Sequence, residues 1–191
     1  PSNSLYDGKE HKWVPTVTDR DGKTLTAGAD YDVEYESKTP IQEKEKFKEF
    51  FDVGDIKVTI TGKGSYTGKV EYTYSITPRP VTLTSASNSK TYDGTPLTKP
   101  EVNVGDDGFV EGEVSEVKAT GSVTTVAEGK VTNTITFTKG EKFKDSNYAI
   151  TKTEGTLTIN PATLTITTKS ASKTYDGNDL TEPNGYSIAG L

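Results

Sequence analysis

The chain has 191 residues, a net charge of −6, 30% apolar residues and neither cysteine nor methionine. That excludes a disulfide framework and a cysteine-ligated metal site. The interspersed charges offer no basic face to a nucleic acid, and no apolar run nears the roughly 18 residues of a membrane-spanning helix. The composition is too polar for one thick core and too rich in Val, Ile, Thr and Tyr for a disordered chain, so small β-rich domains with much surface are expected.

The opening PSNSLYDG shows no signal-peptide pattern and reads as cut from a longer chain. In its tripeptide Tyr6-Asp7-Gly8, Tyr can bury a ring, Asp can accept backbone N–H groups, and Gly supplies a positive φ. His11, the only histidine, would have to serve any Ser-His-Asp or Cys-His site; between Glu10 and Lys12 it reads as an ordinary exposed residue. Trp13, the only tryptophan, is a candidate for core burial or for stacking on a sugar. Asp19 and Asp21 in TDRDGKTL (18–25) resemble the start of a calcium loop, but Lys23 and Asp30 occupy places where ligands are needed; a hairpin turn is expected. TPIQEKEKFKEFFD (39–52) reads as a helix, with Thr39 as N-cap, Pro40 at the first helical position, Gln42 completing a capping box and Gly54 ending it. Phe47, Phe50 and Phe51 then fall at i, i+3 and i+4 as an apolar stripe. IKVTITG (56–62) and KVEYTYSI (69–76) alternate with period two and read as strands. Between them TGKGSYTG (61–68) lacks phosphate-loop spacing and reads as a turn with a packed Tyr66.

Ile76-Thr77-Pro78 closes this first block, and the pattern then starts again. SKTYDGTPLT (89–98) and SKTYDGNDLT (172–181) are nearly the same phrase, and their turns, Tyr92-Asp93-Gly94 and Tyr175-Asp176-Gly177, lie 83 residues apart. Tyr6 lies 86 residues before Tyr92. YTYSITPRPVTLT (72–84) likewise parallels GTLTINPATLTIT (155–167). A fixed period with a recurring proline junction marks a tandem array. VTNTITFT (131–138) and GTLTI (155–159) are further alternating strands, and no second helix is expected. The expected domains are 1–79, a β-rich repeat with a helical insertion at 39–52; 80–161, a second β repeat; and 162–191, the truncated start of a third, of which ATLTITT (162–168) is expected to complete the second. The fold class is mostly β: small domains set end to end, β-grasp-like with one short helix in the first, the alternative being an immunoglobulin-like sandwich.

SKTYDGTPLT, GSVTTVAEGKVTNTITF and NYAITKTEGTLTINPATLTI resemble the YDG/MBG-type repeats of large Gram-positive surface proteins. LYDGKEHKWVPTV, GADYDVEY and VTITGKGSYTGKVEYTYSI resemble a related repeat of the same kind of protein. The resemblance implies an extracellular protein, attached to the cell wall through parts not present here, in which tandem β modules form a stalk or an adhesin. Its partners would be neighbouring repeats of the same chain, and in the adhesin alternative a host glycan or extracellular protein bound near Trp13, Phe47, Phe50 and Phe51. No enzyme, cofactor, metal, nucleic acid or membrane insertion is expected. Some Gram-positive surface domains join Lys to Asn or Asp in place of a disulfide; Lys90, Lys173, Asn147 and Glu154 are the conceivable players here. The polar setting of these lysines predicts that no such crosslink forms.

Overall fold

The computed structural model describes residues 1–38 and 47–189. The fold is mostly β. In chain order the strands are β1 (Ser4–Leu5), β2 (Tyr31–Lys38), β3 (Gly54–Gly62), β4 (Lys69–Thr77), β5 (Arg79–Ser85), β6 (Asn88–Thr91), β7 (Leu97–Thr98) and β8 (Val102–Asp106). They continue as β9 (Val114–Ala119), β10 (Ser122–Val123), β11 (Lys130–Thr132), β12 (Ile135–Lys139), β13 (Tyr148–Thr153), β14 (Thr156–Asn160), β15 (Thr165–Thr168) and β16 (Tyr186–Ala189). The helical residues described are two short 3-10 turns, Val126–Glu128 and Asp145–Asn147.

Two compact units divide the chain. One holds residues 1–83, 103–117 and 137–152; the other holds 84–102, 118–136 and 153–191. The units divide the chain differently from the expected domains at 1–79, 80–161 and 162–191, because residues of the second repeat go to both.

In the first unit the sheet order is β1-β4-β3-β2. β2, β3 and β4 form an antiparallel meander, and β1 lies parallel to β4, Ser4 opposite Ile76 and Leu5 opposite Thr77. The alternation read from the sequence sets the core: Ile56 and Val58 of β3 and Tyr74 and Ile76 of β4 are buried on one face, joined by Tyr31 and Leu25. The sheet β13-β5-β8 contributes Val81, Leu83 and Tyr148 as buried residues. Phe109, Phe137, Phe143 and Tyr148 pack as a ring cluster with centroids 5.1–6.3 Å apart.

The helix expected at 39–52 is not found over 47–52, which form turns; residues 39–46 of that expectation lie outside the described residues. Two physical facts decide the outcome at 47–52. Phe50 sits at φ +65°, a left-handed conformation that a right-handed helix cannot contain. The Asp52 carboxylate accepts the Lys48 backbone N–H, and the Asp52 and Phe51 N–H groups both return to the Lys48 carbonyl, so the segment closes on itself.

In the second unit β14 lies between antiparallel β11 and parallel β6. Leu97, Val123, Leu157 and Ile159 form its core with Val131 against them. Asn133 is fully buried and links four segments. Its side-chain N–H groups donate to the Ala86 and Lys99 carbonyls at 3.1 and 2.8 Å, its Oδ1 accepts the Gly121 N–H, and its own carbonyl takes the Ser85 hydroxyl. β15 pairs antiparallel with β16 in a separate two-stranded sheet, every residue exposed. So 165–168 does not complete the second repeat; its partner is the strand twenty residues further on.

Candidate functional site

The three Tyr-Asp-Gly turns have one local geometry. Gly8, Gly94 and Gly177 take φ values of +75°, +78° and +81°. Asp7 accepts the Lys9 N–H at 2.9 Å, Asp93 the Thr95 N–H at 2.9 Å and Asp176 the Asn178 N–H at 3.0 Å. Each Asp also carries a basic neighbour: His11 at 2.8 Å, Lys90 at 2.7 Å and Lys173 at 2.8 Å. Two of the turns are anchored to the sheets in the same register, since the Tyr6 N–H donates to the Thr77 carbonyl and the Tyr92 N–H to the Asn160 carbonyl, at 2.9 and 2.8 Å. The tyrosines themselves differ sharply. Tyr6 is 3% exposed, Tyr92 46% and Tyr175 92%.

Tyr6 is buried because a polar network closes over it. Its hydroxyl donates to Glu113 Oε1 at 2.5 Å, and the Tyr148 hydroxyl donates to Glu113 Oε2 at 2.7 Å. The two rings meet edge to face at 5.5 Å, a geometry that suits aromatic quadrupoles. Glu113 is buried and lies where the chain leaves a turn to enter β9. Asn147, on the Asp145–Asn147 turn, donates to Asp52 Oδ1 at 2.9 Å and accepts the Val53 N–H at 3.0 Å. Lys144, just before that turn, forms a largely buried ion pair with Asp52 Oδ2. Tyr6, Phe51, Asp52, Glu113, Lys142 and Lys144 line a cavity of about 340 Å³.

Two further contacts fix the Tyr6 turn. A Cβ on Gly8 would meet Val110 Cγ1 at 3.0 Å, so glycine is required there both for its φ and for close approach. The Arg79 guanidinium donates to the Tyr6, Asp107 and Gly108 carbonyls. Burial pushes the Tyr6 and Tyr148 phenols well above their ordinary range, and the Glu113 carboxylate adds to it. Burial also pushes the Asp7 carboxyl up, but the Lys9 N–H and the His11 ring outweigh it and leave it below its usual value.

The four aromatic candidates do not form one surface. Trp13 is half-buried, edge-on to Tyr72 at 5.5 Å, with its carbonyl taking the Tyr35 hydroxyl. Phe50 is buried against Tyr35, Phe51 lies under the Lys48 ammonium, and Phe47 lies beside Gly54. Of the four residues considered for a crosslink, Lys90 and Lys173 bind the aspartates of their own turns, Glu154 takes the Ile135 N–H, and Asn147 alone enters the buried network. At 18–25, Asp19 accepts the Asp21 and Lys23 N–H groups and closes a turn at Gly22. Among the described residues no group of three His, Asp or Glu side chains is placed to hold a metal ion, and no helix is long and apolar enough to cross a membrane.

Glu113, Asp52, Lys144 and Asn133 are the residues that the sequence did not single out. Only Asn133 carries a local signal: it occupies an inward position between Val131 and Ile135, where an apolar residue is expected. Chemically, the network around Tyr6 is a clamp. It offers charge-assisted hydrogen bonds among buried groups. The chain is thus a mostly-β protein built on a repeated turn that is locked in one copy and open in the others. No protein-family model, curated protein or solved structure matches it.

Proposed function

We propose that the chain is a set of structural stalk repeats of a Gram-positive cell-surface adhesin, extracellular and without catalysis, joined to the cell wall through other parts of its parent protein. The observation that carries this reading is the repeated strand register. In both repeats the strand that leads into the Tyr-Asp-Gly turn runs parallel to the last strand, β1 with β4 and β6 with β14. A chain paired this way enters a repeat at one end and leaves it at the other, as head-to-tail stacking requires. A proline follows each last strand, Pro78 and Pro161, and limits bending at the junction.

Small-angle scattering on chains of increasing repeat number tests it: a stalk gains a constant increment of maximum dimension per added repeat and gives no saturable signal on a glycan and extracellular-matrix array. A maximum dimension that does not grow, or saturable binding lost when 39–52 is shortened, overturns it, the latter in favour of an adhesive module.

A further inference from the structure

We propose that the Tyr-Asp-Gly tyrosine is the plug of a repeat-to-repeat joint, and that the open face at Tyr92 receives a further copy of the repeat, whose equivalents of Glu113 and Tyr148 close over it. This deepens the stalk reading and rests on it.

The first joint is visible. Tyr6, from the first sequence repeat, is held by Glu113 and Tyr148, both from the second. Tyr92 sits at the same place in its own repeat, after a strand parallel to the last, with its N–H on the last residue before the junction proline. Among the described residues no carboxylate caps it in the way that Glu113 caps Tyr6. Instead it lines a hollow of about 900 Å³ with Val126, Pro161 and Leu164. Tyr92, Val126 and Leu164 are all exposed apolar or aromatic residues, an apolar grouping that marks an interaction surface.

The occupant is identified by what leads away from the hollow. β15–β16 reproduces β5–β8: Thr165 lies opposite Ala189, and at the positions 83 residues earlier the Thr82 hydroxyl meets the Asp106 carboxylate. In the second repeat β5 has β13 on its other edge. The burial differences match that vacancy position by position. Val81 is 1% exposed and its equivalent Leu164 54%; Leu83 is 0% and its equivalent Ile166 59%. A further copy that supplies the strand equivalent to β13 buries Leu164 and Ile166, and carries its own tyrosine and glutamate to Tyr92.

The test extends the chain after Leu191 with a copy of residues 109–161, which brings copies of Glu113 and Tyr148. Because the chain has no cysteine, single thiols report burial. Ile166→Cys reports folding of the third repeat, and Val126→Cys reports docking on the Tyr92 hollow. Extension is expected to slow maleimide labelling at least tenfold at both sites, and adding Tyr92→Ala is expected to restore labelling at 126 while 166 stays protected. Protection at 166 without protection at 126 overturns the joint while leaving the stalk reading standing, since scattering and ligand binding judge that separately. An extension that protects neither site also overturns it, because an identical repeat has then failed to assemble on this face.

Discussion

If the clamp over Tyr6 holds its compact unit together, removing one hydroxyl should weaken that unit measurably. Tyr6→Phe keeps the ring and its edge contact with Tyr148 and deletes only the donor at 2.5 Å from Glu113. A hydrogen bond to a charged acceptor contributes about 1.5–3 kcal/mol, and the loss leaves a buried carboxylate with one donor fewer. The expected cost is therefore about 2–3 kcal/mol, or roughly 4–12 °C in Tm for a chain of this length. Glu113→Gln weakens the same bond from the other side, so the two changes should not add; a coupling of about 1–2 kcal/mol is expected in the double-mutant cycle. Urea denaturation followed by the fluorescence of Trp13, which lies in the same unit, reads the effect directly. Tyr92→Phe is the control, with an expected change within about 0.5 kcal/mol because that ring is half exposed. Equal costs for Tyr6→Phe and Tyr92→Phe would refute the clamp.

Phe50→Ala should destabilise the first unit by about 3–5 kcal/mol, the cost of truncating a buried aromatic; a change below about 1 kcal/mol in urea denaturation would mean that the ring packs on nothing essential. The Tyr6 and Tyr148 phenols are raised above their ordinary value by burial and then by Glu113, so the stability they contribute is complete below about pH 10 and lost as pH rises beyond it. In an alkaline absorbance titration, Tyr6→Phe should remove a high-pH tyrosinate step, and removal of a step from the ordinary range would contradict this. The Asp93 carboxyl is held at about 2 by the Lys90 ammonium and then the Thr95 N–H; what it adds to the turn is present above about pH 4 and lost as pH falls toward 2, and Lys90→Ala should raise its midpoint in a carboxyl NMR titration. Intact mass should equal the sequence value; a deficit of one water, mapped to a peptide joining Lys144 and Asp52, would show that their ion pair has become an amide.

The parts of the fold that were legible are those decided within a few residues. Period-two alternation placed Ile56 and Val58, and Leu157 and Ile159, inward, and each Tyr-Asp-Gly phrase announced an Asp-capped, positive-φ turn. The parts that were not legible depend on partners far along the chain. Phe47, Phe50 and Phe51 have helical spacing, yet the Asp52 carboxylate gathers Lys48 from four residues away and Lys144 and Asn147 from more than ninety, and a left-handed Phe50 fits the loop that results. Glu113 looks like any acid in EGEVSEV; only the convergence of Tyr6 and Tyr148 makes it a buried acceptor.

The same distinction explains why the phrase is written as Tyr-Asp-Gly rather than as Asp-Gly alone. Asp and Gly suffice for the turn: they make the same hydrogen bond and the same positive φ in all three copies, whatever surrounds them. The tyrosine does nothing local that the turn requires, and at Tyr175, 92% exposed, the turn forms regardless. A large, exposed aromatic is a poor choice for a turn on solvation grounds alone. It becomes a good one when a repeat follows, because ring burial and a charge-assisted hydrogen bond are then gained together at the end of the sheet where the chain departs. For Tyr6 both are supplied by the second repeat, through Glu113 and Tyr148.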